Sequence, residues 1–196
     1  MVVAPARGRG AAPAALVVLT GLLVLLGACS EAALGAPPQA AEEELKAAFL
    51  FNFAKYVEWP ADIVAERPSI DLCVLGDDLL HDALQQTLRG KVVRDKPIGI
   101  RRLASAQGAA GCHVLFVAGA HHDDMPGIVA LVQRHHVLLV GEGPEFLAHG
   151  GAIAFGVEDN RLRFDVDADA ASSAGLKLSS QLLKVARHVS RRDGGS

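Results

Sequence analysis

Cysteines, histidines and paired acids are the side chains of this 196-residue chain best suited to chemistry, and their spacing decides how much each could do. Nucleophilic hydrolysis needs an activated Ser or Cys. No G-x-S-x-G elbow occurs, and neither Cys73 nor Cys112 has the electropositive setting that sharpens a thiolate. His121-His122-Asp123-Asp124 and His135-His136 supply metal-ligating types, but neighbouring residues on a regular element point apart. No His-x-x-x-His or Cys-x-x-Cys spacing brings donors to one face. The expectation is a solvated loop at 121–124, no catalytic residues, no metal and no cofactor.

Two further constellations have bland explanations. Gly141-Glu142-Gly143-Pro144 sits where a phosphate cradle would, yet its fingerprint is incomplete and Glu142 puts a negative charge at the phosphate position. Asp77-Asp78 suggests the acidic pocket of a phospho-receiver domain, which also needs an acceptor Asp after a later strand. Here that place reads Val117-Ala118-Gly119-Ala120. A helix N-cap at Asp78 accounts for the pair.

The cysteines depend on compartment. Arg7 and Arg9 precede an apolar stretch from Ala14 to Leu26 that is shorter than the roughly 20 residues a membrane-spanning helix needs, which reads as an export signal. Leu26-Gly27-Ala28-Cys29 resembles a lipoprotein box with Cys29 as the acylated residue, and Ser30 in the next place resembles the outer-membrane sorting class. Cleavage after Ala36 is the alternative. The expected destination is the periplasm, with a lipid anchor to the outer membrane if Cys29 is acylated. Cys73 and Cys112 then remain, and two thiols in an oxidising compartment suit a structural disulfide, with redox control as the alternative. Losing Arg7 and Arg9 takes the net charge from −3 to −5, a poor match to nucleic acid.

The expected organisation is an export segment over 1–29, an Ala/Pro tether over 30–41, one domain over 42–190 and a disordered tail over 191–196. Glu42, Glu43 and Glu44 open a helix, complementing the positive end of its dipole. Leu45, Ala48, Phe49, Asn52, Phe53 and Tyr56 recur on one face until Pro60 stops the helix. Strands follow over Ile70–Leu75, Val92–Val93, Ile98–Leu103, Cys112–Val117 and Val137–Val140. Helices alternate with them from Asp78 to Leu88, Met125 to Arg134 and Pro144 to His149. A hairpin over Ala152–Phe155 and Leu162–Val166 turns at Glu158-Asp159-Asn160. A short helix from Asp167 to Ser173 ends at Gly175, and Ser179 or Ser180 caps a last helix with Leu182, Leu183, Val185, Ala186 and Val189 inward. Continuous apolar strands alternating with helices predict a three-layer α/β domain on a mostly parallel sheet, closed by an antiparallel hairpin.

Ala47-Ala48-Phe49-Leu50-Phe51-Asn52-Phe53-Ala54-Lys55-Tyr56-Val57-Glu58-Trp59-Pro60 resembles the N-terminal signature of the YfiR family of periplasmic regulators. Leu72-Cys73-Val74-Leu75-Gly76-Asp77, Cys112-His113-Val114-Leu115-Phe116-Val117, Gly150-Gly151 with Arg161-Leu162-Arg163-Phe164, and Gly175 to Lys184 extend the resemblance in order. It implies a homodimer that represses a membrane diguanylate cyclase through the cyclase's periplasmic sensor region, modulating cyclic-di-GMP and biofilm behaviour. It also implies possible sequestration by an outer-membrane partner and a Cys73–Cys112 disulfide. A second cysteine pair found in some members is missing here. Phe51 and Trp59, off the aromatic stripe, and Phe155 and Asp165 on the hairpin are the candidate partner or dimer contacts. The competing reading is a small-ligand sensor or carrier using the crevice near Gly76, Gly119 and Gly141.

Overall fold

The structure is a computed structural model that describes residues 38–119 and 124–191. The export segment, Cys29, most of the tether, His121, His122, Asp123 and the tail from 192 lie outside the described residues. No helix among the described residues is long and apolar enough to cross a membrane.

Helix α1 (Pro38–Tyr56) leads into β1 (Val57–Glu58) and α2 (Ala61–Glu66). Then come β2 (Ile70–Leu75), α3 (Asp78–Thr87), β3 (Val92–Val93), β4 (Lys96–Leu103), a 3-10 turn (Ala106–Gly111) and β5 (Val114–Val117). The second half holds α4 (Met125–His135), β6 (Leu138–Glu142), α5 (Pro144–Ala148), β7 (Ile153–Glu158), β8 (Arg161–Asp167), α6 (Ala168–Ser173), β9 (Lys177–Leu178), α7 (Ser180–Val185) and β10 (Val189–Ser190).

Among the described residues one sheet has the order β10-β8-β7-β6-β5-β2-β4-β3. β4, β2, β5, β6 and β7 run parallel, and β8 turns back antiparallel to β7. The expected mixed α/β architecture is therefore the observed one. Its central strands β2, β5 and β6 are dominated by buried Val, Leu, Ile and Phe because they are covered on both faces. One apolar layer joins α1 and α3 to the sheet, and a second joins α4 and Phe146 of α5 to the other face. The hairpin turn is formed by Asp159 and Asn160, both with positive φ (49° and 57°), the two-residue geometry whose twist matches the strands.

Local signals landed with small offsets. Asp77, one residue before the expected cap, accepts from the Leu80 amide at 3.0 Å and starts α3. Ser179 caps α7 through the Leu182 amide, and Gly175 takes φ 72° after α6. Two expectations fail. The last helix ends at Val185, which is 65% exposed, and Val189 passes into the edge strand β10, so neither faces inward as expected. The first helix begins at Pro38, four residues before the acids, and buries Glu43, Lys46, Ala47, Leu50, Phe53 and Ala54, while Leu45 is 44% exposed. Lys46 breaks the apolar periodicity at a buried position, and its three carboxylate partners are what make that burial tolerable.

Candidate functional site

Phe49 and Phe53, one turn apart on α1, reach the aromatic residues of the hairpin. Phe53 meets Phe164 edge-on with centroids 5.0 Å apart and stacks on Phe155 at 5.8 Å, while Phe49 meets Phe164 at 5.5 Å. Phe155 is 1% exposed, so it is core and not the surface contact expected from the hairpin. Trp59 is likewise 6% exposed. The physical reason for Trp59 is Pro60: the chain turns there, β1 pairs with β9, and the indole folds under the sheet against His113. Phe51 is half-buried, with Lys91 Nζ 5.0 Å and Lys55 Nζ 5.6 Å from its ring centroid. Asp165 lies on β8, half-buried beside Arg187 and His188.

Two features draw on consecutive residues of β8, Phe164 and Asp165, which point to opposite faces of the sheet. The first is a groove of about 380 Å³ between α1 and α7, lined by Phe49, Tyr56, Phe164, Leu182 and the exposed Val185 among others. The second is Asp165, held by the Arg187 guanidinium through Nε at 2.9 Å and a second nitrogen at 2.5 Å, with His188 Nδ1 at 3.2 Å. The Arg187 hydrogen bond keeps the Asp165 carboxyl below its ordinary range against the opposing effect of burial. Arg187 also approaches Glu158 at 3.8 Å. The segment carrying Arg187 and His188 follows α7 directly, and the Arg187 amide donates to Phe164 O. The chain therefore passes from groove-lining Leu182 and Val185 on α7 directly to the ion pair at Arg187. Sequence reading named Asp165 but missed Arg187 and His188, because the pairing spans 22 residues and follows no local period.

The disulfide joins Cys73 on β2 to Cys112, which lies just before β5 rather than within it, with Cα atoms 6.0 Å apart. Adjacent parallel pairing of β2 and β5 brings them together. Arg67 fixes the neighbouring turn by donating to Ala110 O at 2.9 Å and Cys112 O at 3.5 Å.

The crevice at the ends of the parallel strands is occupied near Gly141. The Phe146 ring lies where a side chain at 141 would go, and Lys46 Nζ reaches Glu142 at 2.6 Å. Lys46 thus neutralises the acid that made the Gly141–Pro144 turn unsuitable for phosphate. His136 takes the left-handed conformation at the end of α4, and its Nδ1–H donates to Ala174 O at 2.9 Å, a structural tie between α4 and the loop after α6. Among the described residues no group of three His, Cys, Asp or Glu side chains is placed to hold a metal ion.

Comparison with known proteins matches residues 43–187 to the family described as YfiR/HmsC-like. No curated protein matches the chain. Among solved structures, a conserved domain protein from Vibrio cholerae aligns with TM-score 0.54 and 9% identity over 76% of this chain. The chain spans 60% of that protein's length, and at this identity the likeness concerns the fold. An ABC domain in complex with L-Trp from Streptococcus aligns at TM-score 0.45 and 10% identity, over 62% of this chain and 55% of its own.

Proposed function

We propose, from the premise that this chain belongs to the YfiR/HmsC-like family, that it regulates cyclic-di-GMP signalling by contact rather than by catalysis. Family membership supports a periplasmic regulator of diguanylate cyclase signalling in general. The finer reading is that the chain binds the periplasmic sensor region of a membrane diguanylate cyclase and holds it inactive.

The observation that supports the finer reading is the apolar groove between α1 and α7. Val185, 65% exposed, is an apolar side chain on its rim, and Asn52 and Gln181 add polar groups to its lining. Interfaces of high specificity combine such an apolar centre with polar groups that set orientation. Phe51 remains a candidate contact on α1, while burial moves Trp59 and Phe155 to supporting roles beneath the surface. Homodimerisation, sequestration by an outer-membrane partner and lipid attachment at Cys29 belong to the same proposal and rest on family resemblance and sequence alone.

The test is co-purification of the full chain with the sensor region of a cyclase encoded beside it, comparing wild type with Val185→Glu and Asp165→Lys. Both substitutions should weaken association at least tenfold, Val185→Glu while preserving the thermal transition and Asp165→Lys with the local destabilisation that losing the Arg187 pair brings. Unchanged association in both variants would remove the groove from the proposal.

A further inference from the structure

β4 is the last long strand on its side of the sheet, and β3 covers only its start. Val92 and Val93 pair with Pro97 and Lys96, and the Ile98 amide donates to Lys91 O at 3.3 Å. Beyond that point β4 runs on to Leu103 with β2 on one side and, among the described residues, no strand on the other. Backbone groups of successive strand residues point alternately to the two sides. Ile98 points outward, so Ile100 and Arg102 do too, and their N–H and C=O groups have no backbone partner among the described residues. Pro97, which lacks an amide, belongs to the inward set and leaves this edge able to donate.

The charge around this edge is one-sided. Residues 89–102 carry Arg89, Lys91, Arg94, Lys96, Arg101 and Arg102 against Asp95 alone, in a chain whose formal net charge is −3. Arg94 and Lys96 donate to the Val57 and Arg67 carbonyls, which bring no charge to cancel theirs. Arg102 is shared by Asp78 and Asp82 of α3 at 3.0 and 3.5 Å, all three exposed. Arg101, on the opposite face of β4, is exposed beside Gly111.

We propose that the open edge of β4 takes an extended acidic segment of a partner protein as an added strand. Its backbone pairs with the outward groups of Ile100 and Arg102. Its carboxylates lie beside Arg101 on one face and near the Lys91–Lys96 turn at the end. An apolar side chain between them packs beside Ile98 and Ile100, both half-buried against the core. Charge selects this occupant over a second copy, which would set the same basic edge against itself. Nucleic acid or anionic lipid would answer the charge and leave the outward carbonyls without donors, whereas an acidic strand satisfies both. No residue of the groove between α1 and α7 takes part, so the two surfaces can be tested apart.

The experiment is fluorescence anisotropy of a short labelled peptide of alternating Val and Glu, titrated with the purified full chain at low salt. Binding should be saturable and should weaken at least tenfold in Arg101→Glu. It should stay unchanged in Arg163→Glu, the same reversal at an exposed arginine of β8, and in Val185→Glu. Ile100→Pro removes one outward amide and should abolish binding. Should that variant fail to fold, the peptide with every amide N-methylated keeps its charge, loses its donors and must bind at least tenfold more weakly. No saturable binding by wild type overturns the proposal. So does equal affinity for an alternating Val and Lys peptide, undiminished binding of the N-methylated peptide, or equal loss in Arg163→Glu or Val185→Glu. Displacement of the peptide by duplex DNA or phosphatidylglycerol vesicles at matched charge would reduce the edge to a basic patch and overturn it as well. A wild-type dimer that dissociates in Arg101→Glu would give the edge to a second copy instead.

Discussion

Trp59 and His113 meet edge to face beneath the sheet, ring centroids 5.6 Å apart, and each carries a buried ring nitrogen with no hydrogen-bond partner among the described residues. His113 Nδ1 accepts the Asp71 amide at 3.0 Å, so in the neutral ring Nε2 bears the proton. Both unpaired nitrogens are then donors, and neither can satisfy the other.

Acid should unfold the protein through His113. Burial, reinforced by the Arg67 and Lys96 charges and opposed by Asp71, lowers its pKa from 6.5 to about 4. The unfolded chain binds more protons than the folded one between those values, so stability is complete above pH 6.5 and falls as pH drops toward 4. The loss is about 3 kcal/mol. Urea midpoints across this range should fall in wild type and flatten in His113→Phe; parallel curves for the two proteins would contradict the assignment.

Reduction should weaken the fold without abolishing its topology. The Cys73–Cys112 bridge closes a loop with a sequence separation of 39, which constrains the unfolded chain by about 4 kcal/mol. Cys73→Ser with Cys112→Ser should lower unfolding free energy by about 2–4 kcal/mol, and added reductant should do the same to wild type only. Equal denaturation midpoints with and without the bridge would deny it a stabilising role.

Removing Lys46 should leave buried acids uncompensated. Lys46→Met is expected to cost about 3–5 kcal/mol, and adding Glu43→Gln should recover part of it. Burial holds the Glu43 carboxyl above its ordinary 4.5, against the pull of Lys46. The folded state then binds more protons there, so this contribution to stability declines as pH rises from 4.5. Lys46→Met should steepen that decline, a slope read from denaturation at several pH values.

Asp165→Asn should loosen the last strand rather than the core. The charge-assisted pair with Arg187 is worth about 1–2 kcal/mol. Because the Asp165 pKa is depressed, its contribution is present above the ordinary 3.8 and is lost as pH falls through the lower folded value. Amide exchange at His188–Ser190 should accelerate in the variant while β2 and β5 stay protected. Uniform acceleration everywhere would mark Asp165 as a global stabiliser instead.

The sheet was legible because apolar runs such as Val114–Val117 and Leu138–Val140 carry their burial in their composition, and turn residues such as Asn160 and Gly175 mark the ends. The first helix was misread in phase because Lys46 and Glu43 are charged residues inside, paired with each other, and Lys46 is held as well by Glu142, almost a hundred positions away. Trp59 misled for a related reason: exposure was inferred from its place off a helical stripe, but the helix already ends at Tyr56 and β1 pairs with β9 before Trp59 is reached. Cys73 and Cys112 could be paired because they are the two thiols left once Cys29 is assigned to a lipid, in a compartment that favours disulfides. Arg187 could not be matched to Asp165, since nothing local selects one charge pair over another.

Contact control of a cyclase is most directly tested by intracellular cyclic-di-GMP in cells deleted for this chain and complemented with wild type or Val185→Glu. Deletion should raise the nucleotide, wild type should restore it, and Val185→Glu should accumulate normally in the periplasm yet leave it high. Levels that do not change on deletion, with the neighbouring cyclase expressed, would contradict the account.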